Sequence, residues 1–138
     1  MSGPFVLDSS MTLSWFFEDE STRATERVLD LLMAHGAVVP SLWTLEVINV
    51  LSLAERKGRT TAAKSDLFRL RLDALRIEVD GESDRRIADD VVSLCRSHNL
   101  TSYDATYLEL ARRRGLPLAT LDADVKKAAR KLHILLIT

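Results

Sequence analysis

Phe5-Val6-Leu7-Asp8-Ser9-Ser10 sets a short apolar run of β-forming residues directly against an acid and two hydroxyls. Read as a buried strand that ends on Asp8, the stretch is the first of several β-rich runs that alternate with longer segments of helical period. That alternation is the pattern of a parallel sheet covered by helices. A carboxylate at the carboxyl end of a buried strand costs desolvation energy unless something cationic meets it, and open α/β sheets bind their ligands at that edge.

Working outward, the spacing predicts strands at Phe5–Leu7, Ala37–Val39, Ile77–Val79, Leu118–Leu121 and Ile134–Ile137. Helices are predicted at Met11–Phe17, Thr22–Ala34, Ser41 to about Lys57, Ala62–Leu75, Asp84–Ser97, Tyr103–Arg114 and Ala123–Lys131. Gly36, Gly58 and Gly115 supply stops, and Pro117 breaks the chain before the fourth strand. The expectation is an α/β fold, one domain over residues 1–138, with a central parallel sheet of about five strands flanked by helices. Inward positions are expected at Leu67, Leu70 and Leu75, at Ile87, Ala88, Val91, Val92, Leu94 and Cys95, and at Ala105, Tyr107, Leu108 and Ala111.

At 138 residues and 46% hydrophobic, the chain can bury a core without staples. Nineteen basic against twenty acidic residues leave a net charge near −1, so any contact with nucleic acid has to be local. Cys95 is the only cysteine, which excludes an intrachain disulfide and a thiolate cluster and fits a reducing, cytoplasmic setting. The opening residues lack a basic n-region and carry Asp8, unlike a signal peptide, and no apolar run is long enough to cross a bilayer.

Three further acids stand at comparable places. Glu46 interrupts an otherwise apolar helix, on a face shared with Leu42, Val50 and Leu53; Asp104 begins a helix; Asp122 ends the fourth apolar run as Asp8 ends the first. Helix capping explains Asp8, Asp104 or Asp122 singly, but not Glu46 and not the set. If the sheet order reverses after the first strands, the first and fourth strands are neighbours, and Asp8 and Asp122 come together. Two carboxylates about 4 Å apart repel by roughly 4 kcal/mol at an effective dielectric near 20. Such a cluster either takes up protons or binds a cation. All-oxygen donors suit Mg²⁺ or Mn²⁺, whose chemistry at phosphoryl groups is phosphodiester hydrolysis. No G-x-x-x-x-G-K-[ST], no G-x-G-x-x-G and no Cys–His pair suggests another chemistry.

In this order the motifs Val6-Leu7-Asp8-Ser9-Ser10, Pro40-Ser41-Leu42-Trp43-Thr44-Leu45-Glu46-Val47, Leu100-Thr101-Ser102-Tyr103-Asp104-Ala105 and Leu118-Ala119-Thr120-Leu121-Asp122 resemble PIN-domain ribonucleases, above all VapC-type toxins of toxin–antitoxin pairs. The resemblance spans nearly the whole chain. It implies a Mg²⁺- or Mn²⁺-dependent endoribonuclease, usually a homodimer, silenced by a cognate antitoxin. It also implies that Asp8, Glu46, Asp104 and Asp122 are the catalytic metal ligands, with Ser10 and Thr120 as supporting hydroxyls. Some relatives follow the fourth acid with another two residues on and then an aromatic; here Asp124 is followed by Val125.

Other features have plainer readings. Asp80 beside Gly81 reads as a strand-end or turn residue, Asp124 as a first-turn helix acid, and His35, His98 and His133 as helix-end or exposed groups. Arg112, Arg113 and Arg114, with Lys126, Lys127, Arg130 and Lys131, offset helix dipoles in part and are also candidates to hold RNA phosphates. Trp15, Phe16, Phe17, Leu51, Leu53, Leu70 and Leu72 read mainly as core, any exposed remainder suiting a dimer or antitoxin groove. Two alternatives stay open: a haloacid-dehalogenase-like phosphatase, from Asp8 with Thr12 four residues on, and a non-catalytic PIN-like binding module.

Overall fold

Strands β1 (Phe5–Leu7), β2 (Ala37–Val39), β3 (Ile77–Val79) and β4 (Leu118–Ala119) form one parallel sheet in the order β3-β2-β1-β4. This computed structural model describes residues 3–137; Met1, Ser2 and Thr138 of the expected domain lie outside the described residues. The helices are α1 (Ser9–Ser14), α2 (Arg23–His35), α3 (Leu42–Arg56), α4 (Ala62–Asp73), α5 (Asp84–His98), α6 (Ser102–Arg114) and α7 (Ala123–Lys131), with a 3₁₀ turn at Glu18–Glu20. Parallel pairing of β1 with both β2 and β4 places the reversal of strand order between β1 and β4, so Asp8 and the residues after Ala119 share the carboxyl edge.

Each residue of β1 and β2 is buried, the burial of strands covered on both faces. Strand β3 lies at the sheet edge and is largely exposed, and Glu78 within it discourages pairing with another chain. The expected fifth strand reduces to a single parallel bridge between Leu136 and Leu118. Its partner offers little to pair with, β4 being 2 residues long and ending at Ala119, short of the expected Leu121.

Local chemistry accounts for most helix boundaries. Thr22, Thr61, Ser83, Thr101 and Asp122 accept backbone N–H groups at the starts of α2, α4, α5, α6 and α7. Gly36 turns α2 into β2 at φ +78°, and a Cβ there would lie 3.1 Å from the Arg76 carbonyl oxygen. Helix α1 starts two residues earlier and ends three earlier than expected, since Asp8 is already its first flanking residue and Trp15–Phe16 form a turn.

Helix α6 is the central element, buried without interruption from Ala105 to Ala111. The expected inward face of α4 is displaced: Leu67 and Leu70 are exposed, whereas Ser65 and Leu72 point in and Leu75 lies half-buried beyond the helix. On α5, Ile87, Val91 and Leu94 are buried as expected, while Ala88 and Val92 face out. The α4 and α5 deviations share one cause, because only one stripe of a helix fits against its neighbours and periodicity alone leaves its phase open by a residue.

Between α6 and β3 an ion-pair network ties the sheet edge to the central helix. Arg113 bonds Glu109 and Asp80 at 2.6 Å each, and Arg114 bonds Glu78 at 2.7 Å. Glu109 is 3% exposed, so removing its cation strands a buried charge. Arg113→Gln is expected to lower unfolding free energy by about 2–3 kcal/mol in urea titrations; a value under about 0.5 kcal/mol would show the network to be idle.

Candidate active site

Asp8 is 4% exposed and has no cationic neighbour among the described ion pairs. Its carboxylate is met by hydroxyls instead. Thr120 Oγ1 donates to Oδ2 at 2.5 Å, Ser10 Oγ donates to the same oxygen at 3.1 Å, and Ser9 Oγ lies 3.3 Å from Oδ1. Although Asp8 flanks α1, its side chain makes no capping bond to that helix. Burial pushes its pKa up, against the pull of the Thr120 and Ser10 hydroxyls.

The supporting hydroxyls are themselves fixed. Ser10 Oγ accepts from Leu121 N at 3.0 Å, and Thr120 Oγ1 accepts from Asp122 N at 3.1 Å. This lattice joins the end of β1 to the segment after β4, so the strand reversal positions Asp8 and Asp122 on one edge.

Glu46 enters from α3, half-buried. The expected face of Leu42, Val50 and Leu53 is the margin of that helix, Leu53 being exposed; its buried stripe is Trp43, Val47, Leu51 and Ala54. Tyr107 OH donates to Glu46 Oε1 at 2.5 Å, and Ser9 Oγ lies 3.3 Å from the same atom. Burial raises the Glu46 pKa first, opposed by Tyr107, and the charges of Asp8 and Asp104 raise it further. Burial also drives the Tyr107 phenol upward, so it remains a donor. Ser9 and Tyr107 were not singled out as site residues from sequence. Serine beside the motif acid was a weak signal, and a tyrosine on a buried helix face reads as core until its hydroxyl is seen to meet Glu46.

Asp104 stands in the first turn of α6, whose cap is Thr101. Its pKa is pushed up to about 6 by burial first, then by the charges of Asp122, Asp8 and, least, Asp124. Asp122 does cap α7, accepting Val125 N at 2.9 Å, so the capping reading and the cluster reading hold together for it. Asp124 is exposed in the first turn of α7. Asp80 belongs to the Arg113 network, whose hydrogen bond and charge hold its carboxyl below the usual range.

Among the described residues no group of three or more His, Cys, Asp or Glu side chains already stands as a metal-ligand set. The donor chemistry nevertheless fits a hard cation: four carboxylates, oxygen only, mutually repelling, with no lysine or arginine paired to them.

Residues 5–131 match the model of the PIN domain family. The chain belongs to the PIN-domain family. PIN domains are generally nucleases that use divalent metals. Solved structures share this PIN fold at low identity. PAE2754 from Pyrobaculum aerophilum is 22% identical with a TM-score of 0.70, over 99% of this chain and 92% of its own. FitAcB from Neisseria gonorrhoeae is 17% identical with a TM-score of 0.67, over 97% and 96%. A toxin–antitoxin complex from Klebsiella pneumoniae is 18% identical with a TM-score of 0.60, over 86% of each chain. No curated protein matches the sequence.

The family match displaces the dehalogenase-like alternative, and the structure adds a reason. Thr12, whose spacing from Asp8 suggested that reading, is fully buried and engaged in the interior, donating to the Asp8 carbonyl and accepting from Trp43 Nε1. Of the basic candidates, Arg112 and Arg113 lie at the far end of α6 from Asp104, and the Arg113 guanidinium is held by Glu109 and Asp80. Internal pairing thus gives Arg113 a structural role. Lys126, Lys127 and Arg130 stand on α7, which starts at the cluster.

A folded-state pKa of about 6 lies above the ordinary 3.8 of Asp104, so between these values the PIN domain binds its proton more tightly folded than unfolded. Metal-free stability is therefore expected to rise as pH falls from 7 toward 5. Asp104→Asn is expected to raise the metal-free Tm at pH 7.5 by roughly 3–5 °C after allowing for solvent screening, with the gain shrinking by pH 5. Thermal melts in EDTA at both pH values check this, and an equal or lower Tm for the variant counts against repulsion.

Proposed function

We propose that this PIN domain is a Mg²⁺- or Mn²⁺-dependent endoribonuclease acting as the toxin of a type II toxin–antitoxin pair. One observation carries the nuclease reading: Asp8, buried, and Glu46, half-buried, are oriented by hydroxyls and left without a cation. Natural folds keep such an arrangement where a bound ion repays its desolvation.

Asp8, Glu46, Asp104 and Asp122 would hold the metal. When bound, it supplies a water of lowered pKa and stabilises the charge developing on a phosphodiester. The protein's part is positional. Thr120 and Ser10 hold Asp8 in one orientation, while Tyr107 and Ser9 do the same for Glu46. Such supporting groups sharpen ligand geometry at a distance from the reacting atoms.

The toxin role draws on the low-identity structures, one of which is described as a toxin–antitoxin complex. Leu45, Leu53, Leu67 and Leu70 on α3 and α4 are exposed leucines that suit a cognate antitoxin or a second copy in a homodimer. No helix among the described residues is long and apolar enough to cross a membrane, and the proposed setting is the cytoplasm, where RNA is the substrate.

Cleavage of single-stranded RNA is expected with Mg²⁺ or Mn²⁺, to stop in EDTA and to be lost in Asp8→Asn at unchanged far-UV circular dichroism. Thr120→Val is expected to reduce metal affinity or activity about 10- to 100-fold. Metal binding with no cleavage of any RNA would instead identify a non-catalytic PIN-like module.

A further inference from the structure

A recess of about 330 Å³ lies between the carboxyl end of α5 and one face of α7, lined by Arg96, Ser97, His98, Asn99, Asp124, Lys127, Ala128 and Lys131. Arg96, Lys127 and Lys131 bring three positive charges to it against the single carboxylate of Asp124, and none of the three has an ion-pair partner among the described residues. The α5 dipole accounts for Arg96 and His98, which stand in its last turn. It does not account for Lys127 in the middle of α7, brought against that basic end. Like charges converging on one open cavity are stabilised by an anion between them.

The recess is also connected to the acidic cluster along two chain paths. Helix α7 runs from the Asp122 cap through Asp124 and Lys127 to Lys131, rising roughly 10 Å from Asp124 at 1.5 Å per residue. On the other side, the chain leaves the recess at Asn99 and reaches Tyr103, which is 63% exposed, immediately before Asp104. An exposed aromatic four residues along the chain from a basic groove supplies the composition of a single-stranded nucleic-acid platform, where bases stack and phosphates are neutralised. An acidic peptide would use the charges but has no need of the aromatic.

We infer that the recess between α5 and α7 is an anion subsite that holds the phosphodiester backbone of a single-stranded RNA flanking the segment at the acidic cluster, with Tyr103 as the stacking group between the two. The inference deepens the nuclease reading by assigning the substrate's second contact, and it rests on that reading only for the identity of the strand. Lys127 and Lys131 belong to this subsite, joined by Arg96, which lies outside the basic set picked out from sequence.

The test is equilibrium binding of a fluorescein-labelled single-stranded RNA of about 12 nucleotides, a length within the span of such grooves, followed by anisotropy across a salt series in EDTA. Because no metal and no cleavage enter this measurement, it fails or succeeds separately from the nuclease assay. Arg96→Gln/Lys127→Gln/Lys131→Gln is expected to weaken binding about tenfold or more and to lower the slope of log affinity against log salt by about 2, near 0.7 for each phosphate charge that the variant leaves unneutralised. Tyr103→Ser is expected to weaken binding with the slope unchanged, since stacking releases no counterions. A control of equal charge, Lys57→Gln just after α3 with Lys64→Gln/Arg69→Gln on α4, is expected to cost about threefold or less. The inference is overturned if the recess triple behaves like the control. It is also overturned if RNA binding survives both the triple and Tyr103→Ser, or if the triple abolishes binding of a poly-glutamate peptide and leaves RNA untouched.

Discussion

The hydrogen bond from Thr120 to Asp8 joins the end of β1 to the segment leaving β4, and the site depends on it. It crosses the point where strand order reverses, and it forms inside a region from which water is largely excluded. The bond orients a carboxylate whose burial would otherwise favour its neutral form, and the same hydroxyl accepts the backbone N–H of Asp122. One threonine therefore relates two of the four acids.

Two strand-end aspartates show how environment decides the role of the same residue type. Asp80 follows β3 and Asp8 follows β1, on the same edge of one sheet. Arg113 reaches Asp80, lowers its pKa and makes it a structural ion. Only hydroxyls reach Asp8, and its pKa rises. A carboxylate matched by arginine is internally satisfied, whereas one matched by hydroxyls is oriented but still lacks a counter-charge. The fold thus separates an acidic cluster neutralised by Arg113 and Arg114 from one around Asp8, Glu46 and Asp104 that has no cation paired to it.

Charge is arranged on the exterior in a complementary way. Net charge is near −1, yet the acids that repel one another gather at the carboxyl edge of the sheet while Arg96, Lys127 and Lys131 line the recess beside it. A polyanion would be attracted at the recess and repelled by the bare acids. Local patterning of this kind is invisible to a whole-chain charge balance.

Sequence by itself determined the alternation of elements, the parallel class of the sheet and the four acids in their motifs. Strand-forming runs, helix caps and apolar periodicity are local properties, and each is written in a few consecutive residues. Tertiary structure alone decided the rest. That Tyr107 and Ser9 serve Glu46, that Arg113 is held by Glu109 and Asp80, that Leu67 and Leu70 face outward and that Arg96 meets Lys127 all depend on the rotation of helices about their axes and on contacts between distant segments. The fifth strand failed for the same reason, because β-rich character in 134–137 could not reveal that its partner offers only two residues. A hydroxyl, an arginine or a leucine has no fixed role in one dimension; the partner it meets in three sets its charge, its exposure and its work.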